Sequence, residues 1–237
     1  MRVAVVVLAA LVLTGCETTA EKSAKLERAA KHVTLAQTGL TITRESTDVN
    51  VTGAIFLHST EGGAAVVTLH NRSNRILRHV PIAIAVRNAQ GSPIYTNSTP
   101  GLAPTLVSVA LLPPHGALTW IDDQIQGAAT ASSVKARVGA ASSTVGALPK
   151  IDVEGAGLHE DPTNGIGVEG TVVNHSAVGQ QELVVYAIAR RAGRIVAAGR
   201  AVLPTLSAGA SMPFQAFFIG DPRGSTLQVT APPTTLG

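Results

Sequence analysis

Seven histidines, fifteen acidic side chains and a single cysteine are the groups with which this chain could do chemistry. A zinc site needs His or Cys ligands at short, repeated spacing. His32, His58, His70, His79, His115, His159 and His175 show no H-x-x-x-H pattern, and one cysteine cannot make C-x-x-C, so no metal site is expected. His58 and His70 could approach each other on adjacent strands, where edge packing is the simpler role. Calcium asks for about six to eight oxygens, several of them carboxylates from one loop. Asp152, Glu154, Glu160 and Asp161 lie near one another, and Asp122-Asp123 further back, but no D-x-D-x-D run gathers them. Glu160-Asp161-Pro162-Thr163-Asn164-Gly165 reads as a turn. Serine catalysis on an α/β scaffold would show a G-x-S-x-G elbow, and there is none. Asn71-Arg72-Ser73 and Asn174-His175-Ser176 fit the glycosylation pattern. Their matched places in a repeat make them structural turns instead, with Asn tolerating left-handed backbone. No catalytic residue and no cofactor are expected.

The one thiol has a different context. Met1-Arg2 is followed by an apolar run over 3–12 and then by Leu13-Thr14-Gly15-Cys16. A basic start, a short apolar stretch and small residues before a cut site describe an export signal. The run is too short to cross a bilayer as a lasting helix, which takes about 20 apolar residues. Leu13-Thr14-Gly15-Cys16 resembles the lipobox of bacterial lipoproteins. That resemblance implies a diacylglyceryl group on the Cys16 thiol, cleavage just before it, and acylation of the new amine, palmitate being a typical chain. Two or more chains give stable anchoring where one gives only marginal binding. The implied location is the cell envelope: the outer face of the cytoplasmic membrane, or the outer membrane where one exists.

Something must hold the folded part off that membrane. Residues 19–31 are rich in helix formers, with Glu21/Lys25 and Glu27/Lys31 as favourable i,i+4 pairs. A short helical spacer is expected over 16–34. The rest of the chain is long enough for two domains of about 100 residues. Charged residues are only 14% and hydrophobic ones 45%, with 23 Gly and 13 Pro breaking up runs of Val, Ile, Leu and Thr. That is the all-β pattern. No disulfide can form within the chain, so core burial must hold it together. One Trp, two Tyr and four Phe leave little for stacking on sugars or single-stranded bases. The formal charge is only +3 and no dense basic tract occurs, so no nucleic-acid partner is expected.

The chain repeats itself. Residues 49–54 read against 151–156, and 68–73 against 171–176. Ile82, Ile84, Val86 and Gly91 fall opposite Val184, Tyr186, Ile188 and Gly193, and Gly116 opposite Gly209. The period is too long for a solenoid and points to two domains. Strands are expected at 39–44, 50–58, 64–70, 78–86, 94–97, 106–112, 117–125 and 134–138, then at 151–158, 167–173, 181–190, 195–203, 211–219 and 226–230. Six to eight short strands per unit predict two tandem Ig-like antiparallel β-sandwiches, over 35–146 and 147–237, after a signal peptide at 1–15. Alternation along 80–86 assigns Ile82, Ile84 and Val86 to the inner face, and the repeat assigns Val184, Tyr186 and Ile188 likewise, with Ala85 and Ala187 facing out.

In the second unit Val168-Glu169-Gly170-Thr171-Val172-Val173-Asn174-His175-Ser176 resembles the opening of the FxLYD-type bacterial β-sandwich family. Leu183 to Ala189, Gly193 and Leu206-Ser207-Ala208-Gly209 ending at Phe214 stand where that family's later segments stand. The likeness implies an exported or lipid-anchored protein without catalysis.

One difference between the copies is a candidate for function. Gly91 to Gly116 is 25 positions and Gly193 to Gly209 is 16. The extra residues of the first copy lie near Asn97, Ser98, Thr99, Pro100, Gly101 and Leu102, a candidate binding loop. The expectation is a lipid-anchored envelope protein with a noncatalytic binding or scaffolding role and an envelope protein as partner. The alternatives are a chaperone-like or ligand-binding protein for another exported protein, accepting an extended peptide at an edge beside this loop, and an envelope enzyme with a site at the domain junction.

Overall fold

The computed structural model of the protein describes residues 39–60 and 62–237, so the expected lipidation site at Cys16, the helical spacer and His32 lie outside the described residues. What is described is all-β. In the first half the strands are β1 Val49–Ser59, β2 Gly62–Asn71, β3 Ile76–Asn88, β4 Pro93–Thr96, β5 Ser108–Leu112, β6 Ala117–Ile125, β7 Ala131–Val138 and β8 Ser142–Thr144. In the second they are β9 Ile151–Asp161, β10 Gly165–Asn174, β11 Gln180–Arg191, β12 Arg194–Leu206, β13 Ser211–Phe217, β14 Ile219–Gly220 and β15 Thr226–Thr230. Residues 39–44, expected as a strand, form none. Just after it, the Glu45–Gly139 bridge ties the chain to the residue that follows β7. Ser142–Thr144, where no strand is expected from sequence, adds to β3 as β8.

Both halves are built alike. The three-stranded sheet β1-β2-β6 matches β9-β10-β13. The opposing sheet centres on β3, with β4 and β5 along one edge and β7 and β8 along the other. In the second half β11 takes the centre, with β12 on one edge and β15 on the other. Strand β12 runs unbroken where the first half is split into β4 and β5, and residues 97–107 fill that break. The same asparagine closes both halves. Asn71 Nδ2 donates to the carbonyls of Arg75 and Pro113, both at 2.8 Å, and Asn174 Nδ2 to those of Val178 at 2.8 Å and Ser207 at 3.0 Å. Their Oδ1 atoms accept from the backbone of Ser73 (2.9 Å) and Ser176 (3.0 Å). Neither asparagine has positive φ, so the turn needs the amide and not a left-handed backbone.

The repeat register on β11 is one residue from the sequence-based pairing. His79 and Glu182 both have positive φ, at 49° and 48°, and mark the same place in the two copies. The pairs Leu77–Leu112 and Val80–Val109 correspond to Gln180–Leu206 and Leu183–Leu203. Ile82, Ile84 and Val86 therefore match Val185, Ala187 and Ala189. A one-residue slip moves every side chain to the other face. Leu183, Val185, Ala187 and Ala189 pack with Val168, Val172, Phe214 and Ala216 in the second half's own core. Val184, Tyr186 and Ile188 belong to the core cluster of the first half. Ala187 is 0% exposed, so the expectation that it meets solvent was wrong.

Strand β11 is therefore buried on both faces. Strand β12 packs against β6, β2 and β1, and β14 against β1 and β2. Strand β2 answers in kind, with Ala64, Ala65, Val66 and Val67 all buried. Four sheets stack, and residues Gly39–Gly237 form one compact unit. A continuous apolar run with no polar alternation is the mark of a strand covered on both sides. Val184-Val185-Tyr186-Ala187-Ile188-Ala189 is such a run.

Candidate functional site

Of the candidate loop, Asn97 is 0% exposed and is a bracket rather than a ligand group. Its Nδ2 donates to the carbonyls of Ile82 and Leu106, both at 2.8 Å, and its Oδ1 accepts from Ile84 N at 2.7 Å. Those bonds replace the ladder lost where the insertion leaves the sheet. Ser98, Thr99, Pro100 and Gly101 are exposed and Leu102 is half-buried. Gly101 has φ of 87°, which lets the chain turn back toward the 3-10 turn at Pro104–Leu106.

That turn reaches the junction of the halves. Thr105 accepts from Trp120 Nε1 at 3.1 Å through its carbonyl and from Arg200 Nη2 at 2.7 Å through its hydroxyl. Asp123 Oδ2 accepts from Arg200 N at 2.9 Å, a side chain of β6 capping the edge of β12. Beside it Tyr95 Oη donates to Asp122 Oδ2 at 2.7 Å, and Gln124 N to Asp122 Oδ1 at 3.1 Å. Burial pushes the Asp123 carboxyl up to about 6, against the pull of the Arg200 guanidinium and its hydrogen bonds. Burial raises Asp122 as well, opposed by its bonds to Tyr95 and Gln124. The Tyr186 hydroxyl, beneath Arg200, is also raised by burial. These groups converge, but their polar atoms meet one another and the backbone. The arrangement clamps β6 to β12 and offers no open carboxylate for proton transfer.

An open groove of about 580 Å³ does lie at the junction, lined by Thr119, Asp152, Tyr186, Ile188, Arg190 and Gln228 among others. It carries one carboxylate and no histidine. Asp152 is held by Lys150 at 3.1 Å and His175 at 3.2 Å. A second groove, of about 830 Å³, crosses the outer face of β3 and β7. Its outward side chains include Ala83 and Ala85 of β3 and Lys135 and Arg137 of β7, and it is bordered by Leu40–Ile42, Ser98 and Pro100. Gly39 approaches the Ser98 carbonyl so closely that any side chain there would overlap it. The candidate loop thus forms a wall of a groove whose other parts sequence reasoning did not connect with it. The neighbouring edge strand β4 is only four residues long and begins with Pro93, which suits it poorly to accept an added strand.

The remaining candidates separate. His58 pairs with Gly63 and His70 with Asn50, so they sit at opposite ends of the β1–β2 ladder and do not approach. No group of three metal-ligating side chains occurs among the described residues. Glu160 pairs with Arg223 at 3.1 Å. Asp161 Oδ1 accepts from Thr163 N and Asn164 N, both at 2.8 Å, the turn expected from sequence. Arg200, Thr105, Tyr95 and Trp120 were not singled out. The signal for two partners was present: Arg200 and Asp122-Asp123 are charges inside otherwise apolar strands, which must find partners when buried.

No family model matches the chain, and no curated protein matches it.

Proposed function

We propose that this is a noncatalytic protein of the cell envelope, lipid-anchored through Cys16, that binds or scaffolds another exported protein. The observation that carries the reading is the closed junction. Asp123 and Arg200, with Thr105, are used to lock two β-sandwich halves into one body, while Asp122 is held by Tyr95 within the first half. A rigid body behind a lipid anchor suits presentation of a surface, and its open faces are sheet and loop. The likeness of Val168–Ser176 to the FxLYD-type strand and turn points the same way. The lipobox residues Leu13-Thr14-Gly15-Cys16 support the anchor and the envelope location. The test is metabolic labelling with an alkyne fatty acid, followed by membrane fractionation. Wild-type protein should carry label and sediment with membranes. Cys16→Ser should remain an uncut, unlabelled precursor. Label on the Ser variant would refute the anchor.

A further inference from the structure

We propose that the outer face of β3 and β7 is a docking groove for an extended acidic segment of a protein partner. This rests on the binding role proposed above and names the chemistry of the partner.

The first observation is which face is left open. Ala83 and Ala85 of β3 correspond to Tyr186 and Ile188 of β11, by the register that pairs His79 with Glu182. In the second half this face is covered by the first half's β1-β2-β6 sheet. In the first half the same face floors the groove of about 830 Å³. The fold thus buries this face under a sheet once, and in the first half leaves it as a groove bordered only by the 39–42 segment and the loop at Ser98 and Pro100.

The second observation is its chemistry. Ala83 pairs with Arg137 and Ala85 with Lys135. The corresponding partners of Tyr186 and Ile188 are Thr230 and Gln228. On the edge that corresponds to β7, bulky apolar residues with neutral partners stand where the first half has alanines with cations. The open face is therefore unsuited to another apolar sheet and suited to a thin, negatively charged chain. Arg87 adds a third cation to the lining, and its Nε is buried without a hydrogen-bond partner. No acidic residue lines the groove, and Lys135 is exposed with no ion pair among the described residues.

The third observation is that one of these cations already holds a carboxylate from a neighbouring segment that bridges the chain just after β7. Glu45 Oε1 lies 2.6 Å from Arg137 Nε, and its backbone bridges Gly139. Lys135 and Arg137 are two residues apart on one strand, about 7 Å. An extended peptide places alternate side chains at the same interval. A ligand with acidic residues at every second position would therefore continue the pattern that Glu45 begins.

The test measures fluorescence anisotropy of three labelled octapeptides on the full-length protein in detergent. One alternates Glu and Thr, one alternates Lys and Thr, and one has four Glu followed by four Thr. The alternating acidic peptide should bind best, and the Lys peptide should not bind. Lys135→Glu and Ser98→Glu should each weaken it by about tenfold or more, since each sets like charges against one another. Lys150→Glu, remote from the groove, should leave binding unchanged. Thermal melts check that the variants stay folded. Unchanged affinity in Lys135→Glu, binding of the Lys peptide, or no acidic-peptide binding would overturn the proposal. So would binding of anionic phospholipid vesicles, lost in Lys135→Glu, without peptide binding. Acyl label on Cys16 is read from the same preparations, so failure of the groove is distinguishable from failure of the anchor.

Discussion

The sharpest consequence of a strand buried on both faces is that a cut in the second half should be felt in the first. Ile188 is 2% exposed and packs into the first half's core cluster. Ile188→Ala removes three carbons from that contact. Such truncations cost about 2 to 5 kcal/mol, of which part is the cavity left behind. Ile188 borders the junction groove, so water can enter the space and the cavity contribution shrinks. The expected loss is at the low end, about 2 to 3 kcal/mol. For a body of this size each kcal/mol shifts Tm by about 2 to 4 °C, giving a fall of roughly 4 to 12 °C. The chain's one tryptophan makes the assay specific. Trp120 is fully buried on β6, in the first half, so its fluorescence reports unfolding there. Melting followed at Trp120 should shift with Ile188→Ala. It should also shift with Val172→Ala, whose site lies in the second half's own core. A Trp120 transition unmoved by either change, with a separate lower transition in circular dichroism, would show that the halves unfold independently and refute the shared core.

Two further outcomes follow from buried polar groups. Asn71→Ala should cost about 1 to 3 kcal/mol, because the carbonyls of Arg75 and Pro113 lose their donor, and Asn174→Ala should cost a similar amount; urea melts that show no loss would remove the bracket from the account. Asp123 is near 6 in the folded protein and about 4 when unfolded, so between these values the folded state holds more protons and stability falls as pH rises. At about 1.4 kcal/mol per pH unit the protein should be more stable at pH 4 than at pH 7, by at most about 3 kcal/mol from this group. Asp122 is raised in the same direction and adds to the effect. Asp123→Asn should flatten the dependence, and an unchanged slope in that variant would contradict the assignment.

The sequence revealed most of the strands because period-two alternation and glycine turns mark them locally. It revealed the insertion as well, since a length difference between copies needs no structure to be seen. The faces of β11 were harder. Val184, Tyr186 and Ile188 are large and alternate, so they attract the inward assignment, while the true partners of Ile84 and Val86 are small, Ala187 and Ala189. The shared positive φ at His79 and Glu182 and the cross-strand pairs around them fix the register, and positive φ at His or Glu leaves no compositional trace. Residues 39–44 alternate like a strand, yet the chain there makes only the Glu45–Gly139 bridge. The Asp123–Arg200 clamp joins residues 77 apart, and nothing in either local sequence names the other. The groove combines 39–42, 83–87, 98–100 and 135–137, four segments that become neighbours only when β3 and β7 pair.

The claim at the centre of the account is that an anchored, rigid body presents a binding face to another exported protein. The most direct measurement is photo-crosslinking in living cells from a benzophenone amino acid placed at Ser98, the exposed wall of the groove. The account predicts one discrete adduct, recovered from membranes, in which the crosslinked peptide of the partner is acidic. The adduct should be lost when Lys135 is changed to Glu in the same protein. No adduct from Ser98, with the protein present at the membrane in normal amount, would contradict it.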